Sequence, residues 1–385
     1  MSWISERIRF DRNEFSGAFG DIGTDFPLIL GMIAVSDADA GSICILYGIM
    51  QCITAFLYGV PMAVQPLKAV ATIVIAGNIQ GDMIYTAGFI IGFIMLFLSF
   101  SGLIKIIHKI IPLVVVRGIQ IGLGLSLAQI AVTKYILPNI GNYLDIFLLI
   151  MCFVLALYFM GNRKYPPAFF IFGIGIIYSI FKDYALAFSV FNDVQLHLPI
   201  FQIPKIELIL PATLLLALPQ IPLSLGNSIL ASHQIVKDYF PEKKIGIQKI
   251  SYTYSFMNLV SPFFGGIPVC HGSGGLVGHY NFGARTGGSL IIYGSFFILL
   301  GLFFSRGLEH FYDFMPLSVL GVILFFESLG LLALIKHLAH SKKELYVGLI
   351  IALISAGIPY GFLISMIVGT ILHYSSSYFT FFKND

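Results

Sequence analysis

The feature that most constrains this chain is residues 58–75, YGVPMAVQPLKAVATIVI, an apolar stretch that contains two prolines, a glutamine and a lysine. Pro61 and Pro66 cannot both lie inside one continuous helix, because each lacks an N–H group and clashes with the preceding turn. We therefore predict extended chain over residues 60–65 and a short helix over residues 66–78. Pro66 would take the first helical position, where a missing N–H costs nothing.

Lys68 lies in the first turn of this predicted helix. A helix start presents unpaired N–H groups and the positive end of the helix dipole, so a cation there costs roughly 0.3–1 kcal/mol. A charged side chain at bilayer depth costs about 2.5–3.5 kcal/mol. A bound anion would offset both costs. We therefore predict an anion site formed by Gln65, Pro66, Lys68 and Ala69, with the backbone N–H groups of residues 67–69 as donors.

Composition places the chain in a membrane. Of its 385 residues, 57% are hydrophobic and only 11% are charged, whereas soluble domains carry about 25% charged residues. Basic residues are scattered singly, which argues against nucleic-acid binding, and the four cysteines lack the spacing of metal ligands. No metal or cofactor is expected. The polar N-terminus does not resemble a cleavable signal peptide, and neither end has a polar region long enough for a soluble domain.

Fourteen apolar segments can be counted, with about 20 residues for a full span and fewer for a broken one. The first seven are residues 16–36, 41–59, 60–78, 82–104, 110–134, 142–161 and 166–184. The second seven are residues 207–235, 246–265, 267–282, 286–305, 313–335, 344–358 and 360–380. We therefore predict an all-α polytopic membrane protein.

The positions of lysine and arginine test this count, because these residues concentrate on the cytoplasmic side of a membrane. With the N-terminus in the cytoplasm, sixteen of the 22 fall on the cytoplasmic side and four on the outer side. The other two, Lys68 and Arg117, fall within segments. This bias predicts a multi-pass protein of the plasma (inner) membrane with both termini in the cytoplasm.

Proline patterns recur in order along the chain. The Gly-Val-Pro of residues 59–61 matches the Gly-Ile-Pro of residues 266–268, and the Ile-Pro-Leu of residues 111–113 matches the Met-Pro-Leu of residues 315–317. Chance is the alternative for any one such match. Seven spans per half would invert the second half in the membrane, so we predict inverted repeats over residues 1–192 and 193–385. Broken segments at matching positions of inverted halves indicate a transporter's substrate site.

The tenth segment is the second broken one, IPVCHGSGGLVGH over residues 267–279. Glycines with a serine let backbone N–H groups approach an anion closely. We therefore add His271, Gly272, Ser273, Gly274 and Gly275 to the predicted anion site. The alternative is that the glycines only allow helices to pack closely.

Polar residues in the eighth and first segments are further candidates. Gln220, Ser224 and Asn227 share one helical face, where they either bind a ligand or join helices, and Gln220 is the best placed of them. In the first segment, Thr24 is a candidate substrate contact. Asp21 would repel an anion, so we expect it to pair with a cation, to cap a helix or to take part in proton coupling; Asp25 is grouped with it.

Glu327 lies well inside the twelfth segment, where an ionisable side chain indicates function. It could carry a coupling proton, and we favour an ion pair between Glu327 and Arg117 of the fifth segment. Asp21, Asp25, Glu327 and Arg117 are therefore the candidate coupling residues.

Four stretches resemble the molybdate transporter family, a branch of the sulfate permease superfamily. They are GDIGTDFPLIL, YGVPMAVQPLKAVA, PQIPLSLGNSILA and GGIPVCHGSGGLVGHYNFGAR, and they cover both halves of the chain. The resemblance implies the inverted-repeat fold of uracil permeases, with half-helices at segments 3 and 10. It also implies a core domain of segments 1–4 and 8–11, a gate domain of segments 5–7 and 12–14, and no C-terminal regulatory domain. Asp25 departs from the family pattern, where an aromatic or apolar residue is expected.

The resulting expectation is a secondary transporter that imports molybdate, with protons or sodium as the coupling ion. A sulfate, tungstate or general oxyanion transporter is the alternative on the same fold, and an anion channel is a second one. A membrane-embedded enzyme would need clustered histidines or paired carboxylates, and the nine histidines are dispersed. The expected partners are the oxyanion and the lipid bilayer, with a homodimer left open.

Overall fold

The computed structural model describes residues 2–104, 110–160, 167–184 and 194–375. Helices up to residue 184 are α1 (Ser2–Arg7), α2 (Arg12–Ala18), α3 (Ile22–Val35), α4 (Ala40–Tyr58), α5 (Lys68–Gly77), α6 (Gly81–Phe100), α7 (Leu113–Ile130), α8 (Tyr143–Phe159) and α9 (Pro167–Lys182). The later helices are α10 (Ile206–Tyr239), α11 (Ile247–Val260), α12 (Ser273–Asn281), α13 (Gly288–Phe314), α14 (Leu317–Leu332), α15 (Lys342–Gly357) and α16 (Gly361–Ser375). Two short strands, β1 (Val64–Pro66) and β2 (Val269–His271), precede α5 and α12.

Seven stretches of helix are long and apolar enough to cross a membrane, and shorter apolar helices lie between them. The chain is therefore an integral, multi-pass membrane protein. A helix lies within each of the fourteen segments counted in the sequence. Residues 161, 166 and 376–380 of those segments fall outside the described part, as do residues 105–109 between the fourth and fifth segments. The number of full spans stays a prediction.

The two broken segments meet as an antiparallel pair of strands. Val64 pairs with His271, Gln65 with Cys270 and Pro66 with Val269. The predicted extended chain before α5 is confirmed, but Pro66 is the last residue of β1 and the helix begins at Lys68. The reason is the pairing itself, which continues to Leu67, whose N–H donates to the carbonyl of Pro268 (3.1 Å). Pro66 therefore belongs to the strand and not to the helix.

Two side-chain amides complete the hydrogen bonding of these strands. Gln51 of α4 accepts from the N–H of Val64 (3.1 Å) and donates to its carbonyl (2.8 Å). Asn258 of α11 does the same for Val269, at 2.9 and 2.7 Å. Non-helical backbone at membrane depth needs such partners, because lipid offers none. Each broken segment is thus held by an amide from the helix that precedes it.

The helices pack in two groups. In the first, α4 packs along α13 and α6 packs along α11. Gly48 and Gly294 allow the closest approach of α4 to α13, since a Cβ at Gly294 would lie 2.8 Å from the Cys52 sulfur and a Cβ at Gly48 would lie 2.7 Å from Ile298. In the second group, α7 packs on α15 and α16, and α14 packs on α7 and α8. Small residues at such contacts let helix backbones approach closely in a membrane.

Helix α10 continues through Pro219 and Pro222. Pro219 and Pro222 each remove an N–H donor from the helix, and the turns at Thr213–Ala217 and Ser224–Ala231 are widened to π geometry. The turns on both sides of these prolines adapt to the missing donors. Gln220 lies between these wide turns, which positions its side chain next to α5.

A buried carboxylate attaches the N-terminal helices to the rest of the molecule. Glu14 of α2 is 2% exposed and accepts from the N–H groups of Arg285 (2.9 Å), Thr286 (2.8 Å) and Ser289 (3.0 Å). These N–H groups lie at and just before the start of α13, where helical donors lack partners. The contact holds α2 against α13 and sets the entry of the chain into α3.

Candidate functional site

The starts of α5 and α12 open into one cavity of about 440 Å³. Lys68 is the first residue of α5, and Ser273 is the first residue of α12. Both side chains line the cavity, so the structure brings the two predicted helix starts together. The polar lining also includes Gln65, Arg117, Gln120, Gln220, Asn227, Ser228, Cys270 and Glu327.

Lys68 forms an ion pair with Glu327. Its Nζ lies 3.0 Å from Glu327 Oε1, and the side chains are 16% and 30% exposed. This corrects the predicted pair between Glu327 and Arg117, because α14 carries Glu327 to the start of α5. Arg117 Nη1 donates instead to Gln120 Oε1 (3.0 Å), one turn along α7. The cavity therefore contains two cations at different positions.

The start of α5 has part of its hydrogen bonding already satisfied. The N–H of Ala69 donates to Gln220 Oε1 (3.1 Å), and the N–H of Leu67 is bonded to Pro268. The predicted use of the N–H groups of residues 67–69 as anion donors is therefore corrected for two of the three. Gln220 lines the cavity and also donates to Ser224 (3.2 Å), so it joins α10 to the helix start.

The start of α12 is freer. Its first main-chain hydrogen bond runs from Leu276 to the carbonyl of Gly272, so the N–H groups of residues 273–275 precede the helical ladder. The Ser273 hydroxyl donates to Asn227 Oδ1 (2.8 Å). Gly274 lines the cavity, and a Cβ there would meet no atom within 4 Å. This helix start is the part of the lining where backbone N–H groups and open space coincide.

Gly272 and Gly275 serve a different purpose from the predicted one. A Cβ at Gly272 would overlap the amide of Gln65, and a Cβ at Gly275 would overlap the carboxyl of Asp21. Those two side chains are themselves joined, since Gln65 Nε2 donates to Asp21 Oδ2 (2.6 Å). The two glycines therefore make room for this hydrogen-bonded pair. Neither lines the cavity, which corrects their assignment as direct anion contacts.

His271 is also placed away from the cavity. It is fully buried, and its Nε2 lies 2.7 Å from the hydroxyl of Thr253 and 3.5 Å from that of Tyr58. Successive side chains of a strand point to opposite faces. Because Cys270 faces the cavity, His271 must face away, so the predicted anion contact by His271 is corrected. Pro66, next to Gln65 in β1, is outside the lining for the same reason.

Asp21 and Asp25 form a buried pair of carboxyl groups at the start of α3. They are 5% and 0% exposed, and the two carboxyls lie within hydrogen-bonding reach of each other. Tyr47 and Tyr293 donate hydrogen bonds to Asp25 Oδ2. Asp25 Oδ1 has no hydrogen-bond partner among the described residues. A proton shared between the two carboxyls would satisfy this oxygen and remove the repulsion between two buried charges.

Thr24 lies in a second cavity, of about 370 Å³, between α3 and α14. Glu327 lines both cavities and lies beside Thr24. The structure therefore brings Thr24 next to Glu327, outside the lining of the first cavity. Of the predicted substrate contacts, it gathers Gln65, Lys68, Gln220, Ser273 and Gly274 around the first cavity.

The sequence reading missed the roles of two tyrosines. Tyr47 lies one turn before Gln51 in α4, and Tyr254 lies one turn before Asn258 in α11. Tyr47 donates to Asp25, whereas Tyr254 lies 2.6 Å from the hydroxyl of Ser224. The shared spacing of a tyrosine and an amide before each broken segment is a sequence signal that would have found them.

The matching family and the matching relatives are molybdate transporters. The family described as "Molybdate transporter of MFS superfamily" matches residues 13–127 and 212–331. Molybdate transporter 1 of Arabidopsis thaliana is 32% identical over 89% of this chain and 84% of its own length. Molybdate transporter 2 of the same plant is 30% identical over 92% and 85%, and Molybdate transporter 1 of Chlamydomonas reinhardtii is 24% identical over 84% of both.

Solved structures show the fold. The transmembrane domain of a cyanobacterium bicarbonate transporter, BicA, superposes with a TM-score of 0.65 at 18% identity, over 95% of this chain and 98% of that one. The murine anion transporter Slc26a9 in its inward-facing state gives 0.69 at 13% identity, over 98% and 70%. Although the family description mentions the MFS superfamily, the fold of this chain is that of these two transporters. The resemblance predicted from the four sequence stretches is confirmed.

Proposed function

Because the chain belongs to the molybdate transporter family, we propose that it is a secondary transporter that imports molybdate by alternating access. The family consists of transporters, so the expectation that the chain is not an enzyme is confirmed. The observation that supports the substrate class is the meeting of Lys68 with the start of α12 in one cavity. A full positive charge and free backbone donors together suit a tetrahedral oxyanion.

Within this site, Lys68 provides the charge, and the amides of Gln65 and Gln220 provide side-chain donors. Ser273 and the N–H groups of residues 273–275 complete the cage from the opposite side. Tungstate and sulfate have the same charge and tetrahedral shape as molybdate, and these donors would also suit them. A general oxyanion transporter is therefore the second candidate.

The proposed architecture is fourteen spans in two inverted repeats. The paired strands support it, because the Gln51 clamp on Val64 and the Asn258 clamp on Val269 are equivalent. The helix contacts follow the same pattern, with α4 on α13 matched by α6 on α11. The first packing group corresponds to the proposed core domain, and the group of α7, α8, α14, α15 and α16 belongs to the proposed gate domain.

The proposed location is the plasma (inner) membrane, with both termini in the cytoplasm. The substrate cavity reaches Ile235 and Leu334, near Lys237 and Lys336, which the charge bias assigns to the cytoplasmic side. The described conformation is therefore proposed to face inward.

Import of a dianion against an inside-negative potential costs about 2.3 kcal/mol per charge per 100 mV, so a driving ion is required. We assign the coupling proton to the pair of Asp21 and Asp25. Gln65 supports this assignment, since its amide contacts Asp21 and also lines the cavity. A change of charge on Asp21 would therefore reach the substrate through one side chain.

The test is uptake of radioactive molybdate by proteoliposomes. Lys68→Ala should reduce uptake by at least about a hundredfold, because the positive charge at the start of α5 is lost. Lys68→Arg should retain more uptake than Lys68→Ala, because it keeps the charge in a different shape. If Lys68→Ala imports molybdate as well as the parent, the site is misplaced. Equal competition by sulfate and tungstate would favour the general oxyanion transporter.

A further inference from the structure

Glu327 occupies the position of an anion in the candidate site. Its carboxylate oxygen lies 3.0 Å from Lys68 Nζ, which is the distance at which an oxyanion oxygen would accept a hydrogen bond from that ammonium group. Both side chains line the cavity where the two helix starts meet. Among the described residues, Glu327 is the hydrogen-bond partner of Lys68 Nζ.

The two partners lie on different helices. Lys68 begins α5, which packs on α3 and α7, whereas Glu327 lies in the middle of α14, which packs mainly on α7 and α8 and also on α3. Their side chains are 16% and 30% exposed, so water reaches the pair. The contact can therefore open without first taking two fully buried charges apart.

A bound dianion and the Glu327 carboxylate cannot both lie against Lys68 without repulsion. One ammonium group would face three negative charges within a few ångströms, and the second cation of the cavity, Arg117, hydrogen-bonds to the neutral amide of Gln120 on α7. Substrate and Glu327 therefore exclude each other at the Lys68 ammonium. The lower the fraction of Glu327 paired with Lys68, the tighter the oxyanion binds.

We propose that Glu327 competes with the substrate for Lys68 and thereby lowers the affinity of this cavity for oxyanions. The proposal rests on the transport function proposed above. A competing carboxylate on α14 acts only while α5 and α14 hold Lys68 and Glu327 together. In the described conformation it favours release of the oxyanion, and a relative shift of α5 and α14 removes the competition. Glu327 is thus a positioning residue for release and not a substrate contact.

The test is direct binding of molybdate to the purified, detergent-solubilised full chain by isothermal titration calorimetry. Glu327→Gln keeps the size of the side chain and removes its charge, and Glu327→Ala removes the carboxylate altogether. Both should bind molybdate at least about tenfold more tightly than the parent. Asp145→Asn is the control, since it removes the carboxylate of another ion pair, with Lys182, outside the cavity, and its affinity should change by less than about threefold.

The same variants should release substrate slowly. Efflux of preloaded molybdate from Glu327→Gln, measured in a stopped-flow or filtration assay, should fall together with the rise in affinity. A residue that only stabilises the fold would lower the melting temperature and leave affinity unchanged. Weaker or unchanged binding in both variants, or an equal gain in Asp145→Asn, overturns the proposal. If the parent chain itself binds neither molybdate, tungstate nor sulfate, the proposed function fails and not this inference alone.

Discussion

At the scale of the residue, the site is a balance of a few charges. Lys68 and Glu327 neutralise each other across the cavity, and Asp21 and Asp25 share a buried environment beside it. The Gln65 amide bonds to Asp21 and also lines the cavity. An amide can donate or accept, so it can follow a change in the protonation of its partner. The proposed coupling therefore needs movement of only one small group.

This arrangement predicts that Asp21→Asn uncouples uptake from protons. The parent should import molybdate faster when the outer pH is lowered, by roughly tenfold across a gradient of two pH units. Asp21→Asn keeps a hydrogen bond to Gln65 but cannot release a proton, so its uptake should not respond to the gradient. The measurement is initial uptake in proteoliposomes at fixed membrane potential.

The other charged groups that face Asp21 are Asp25, Lys68 and Glu327, and all three remain in this variant. Asp25→Asn is therefore measured beside it, since a shared proton predicts the same loss in both. A full pH response in Asp21→Asn and in Asp25→Asn would contradict proton transport by this pair.

At the scale of the element, the broken segments depend on space as much as on hydrogen bonds. The strands are held by Gln51 and Asn258, and the helix after β2 has glycines where side chains from the first half approach. Gly275 packs against Asp21, and Gly272 packs against Gln65. These glycines therefore make room at the start of α12 for polar side chains of the first half of the chain.

We predict that Gly275→Ala destabilises the protein by about 1–3 kcal/mol, because an added methyl group overlaps the Asp21 carboxyl and lies 2.7 Å from Ala63 Cβ. Thermal unfolding in detergent, followed by light scattering or by the exposure of buried thiols, measures the change in stability. Gly274→Ala in the same helix and Gly357→Ala at the end of α15 are the controls, since a Cβ at either meets no atom within 4 Å. Equal destabilisation of all three variants would refute the packing explanation.

At the scale of the whole molecule, the packing follows the two broken segments. The pair β1 and β2 lies where the two repeats proposed from the sequence meet, and each strand is clamped by the helix before it. Helices α4 and α6 of the first half pack on α13 and α11 of the second. Each half therefore completes the other, and neither half forms the site alone.

The proposed orientation predicts one-sided access to the cavity. A cysteine introduced at Leu334, in a chain whose Cys270 is replaced by serine, should react with a membrane-impermeant maleimide added from the cytoplasmic side. A cysteine at Ile358, which lines a separate cavity of about 290 Å³ with Pro359 and Thr72, should react from the outer side. Labelling in right-side-out and inside-out vesicles measures both. Reaction of Leu334→Cys only from the outer side would reverse the proposed orientation.

Features set by local chemistry were readable from the chain alone. Two prolines in an apolar run cannot continue a helix, so the broken segments were predictable, and Lys68 beside them indicated a compensating negative charge. The partner of each side chain and the face on which it lies were not predictable from the chain alone. Cys270 faces the cavity and His271 faces away because of the strand register, and Glu327 reaches Lys68 because of how α14 packs. These choices depend on contacts between residues far apart in the chain, which no local pattern of side chains specifies.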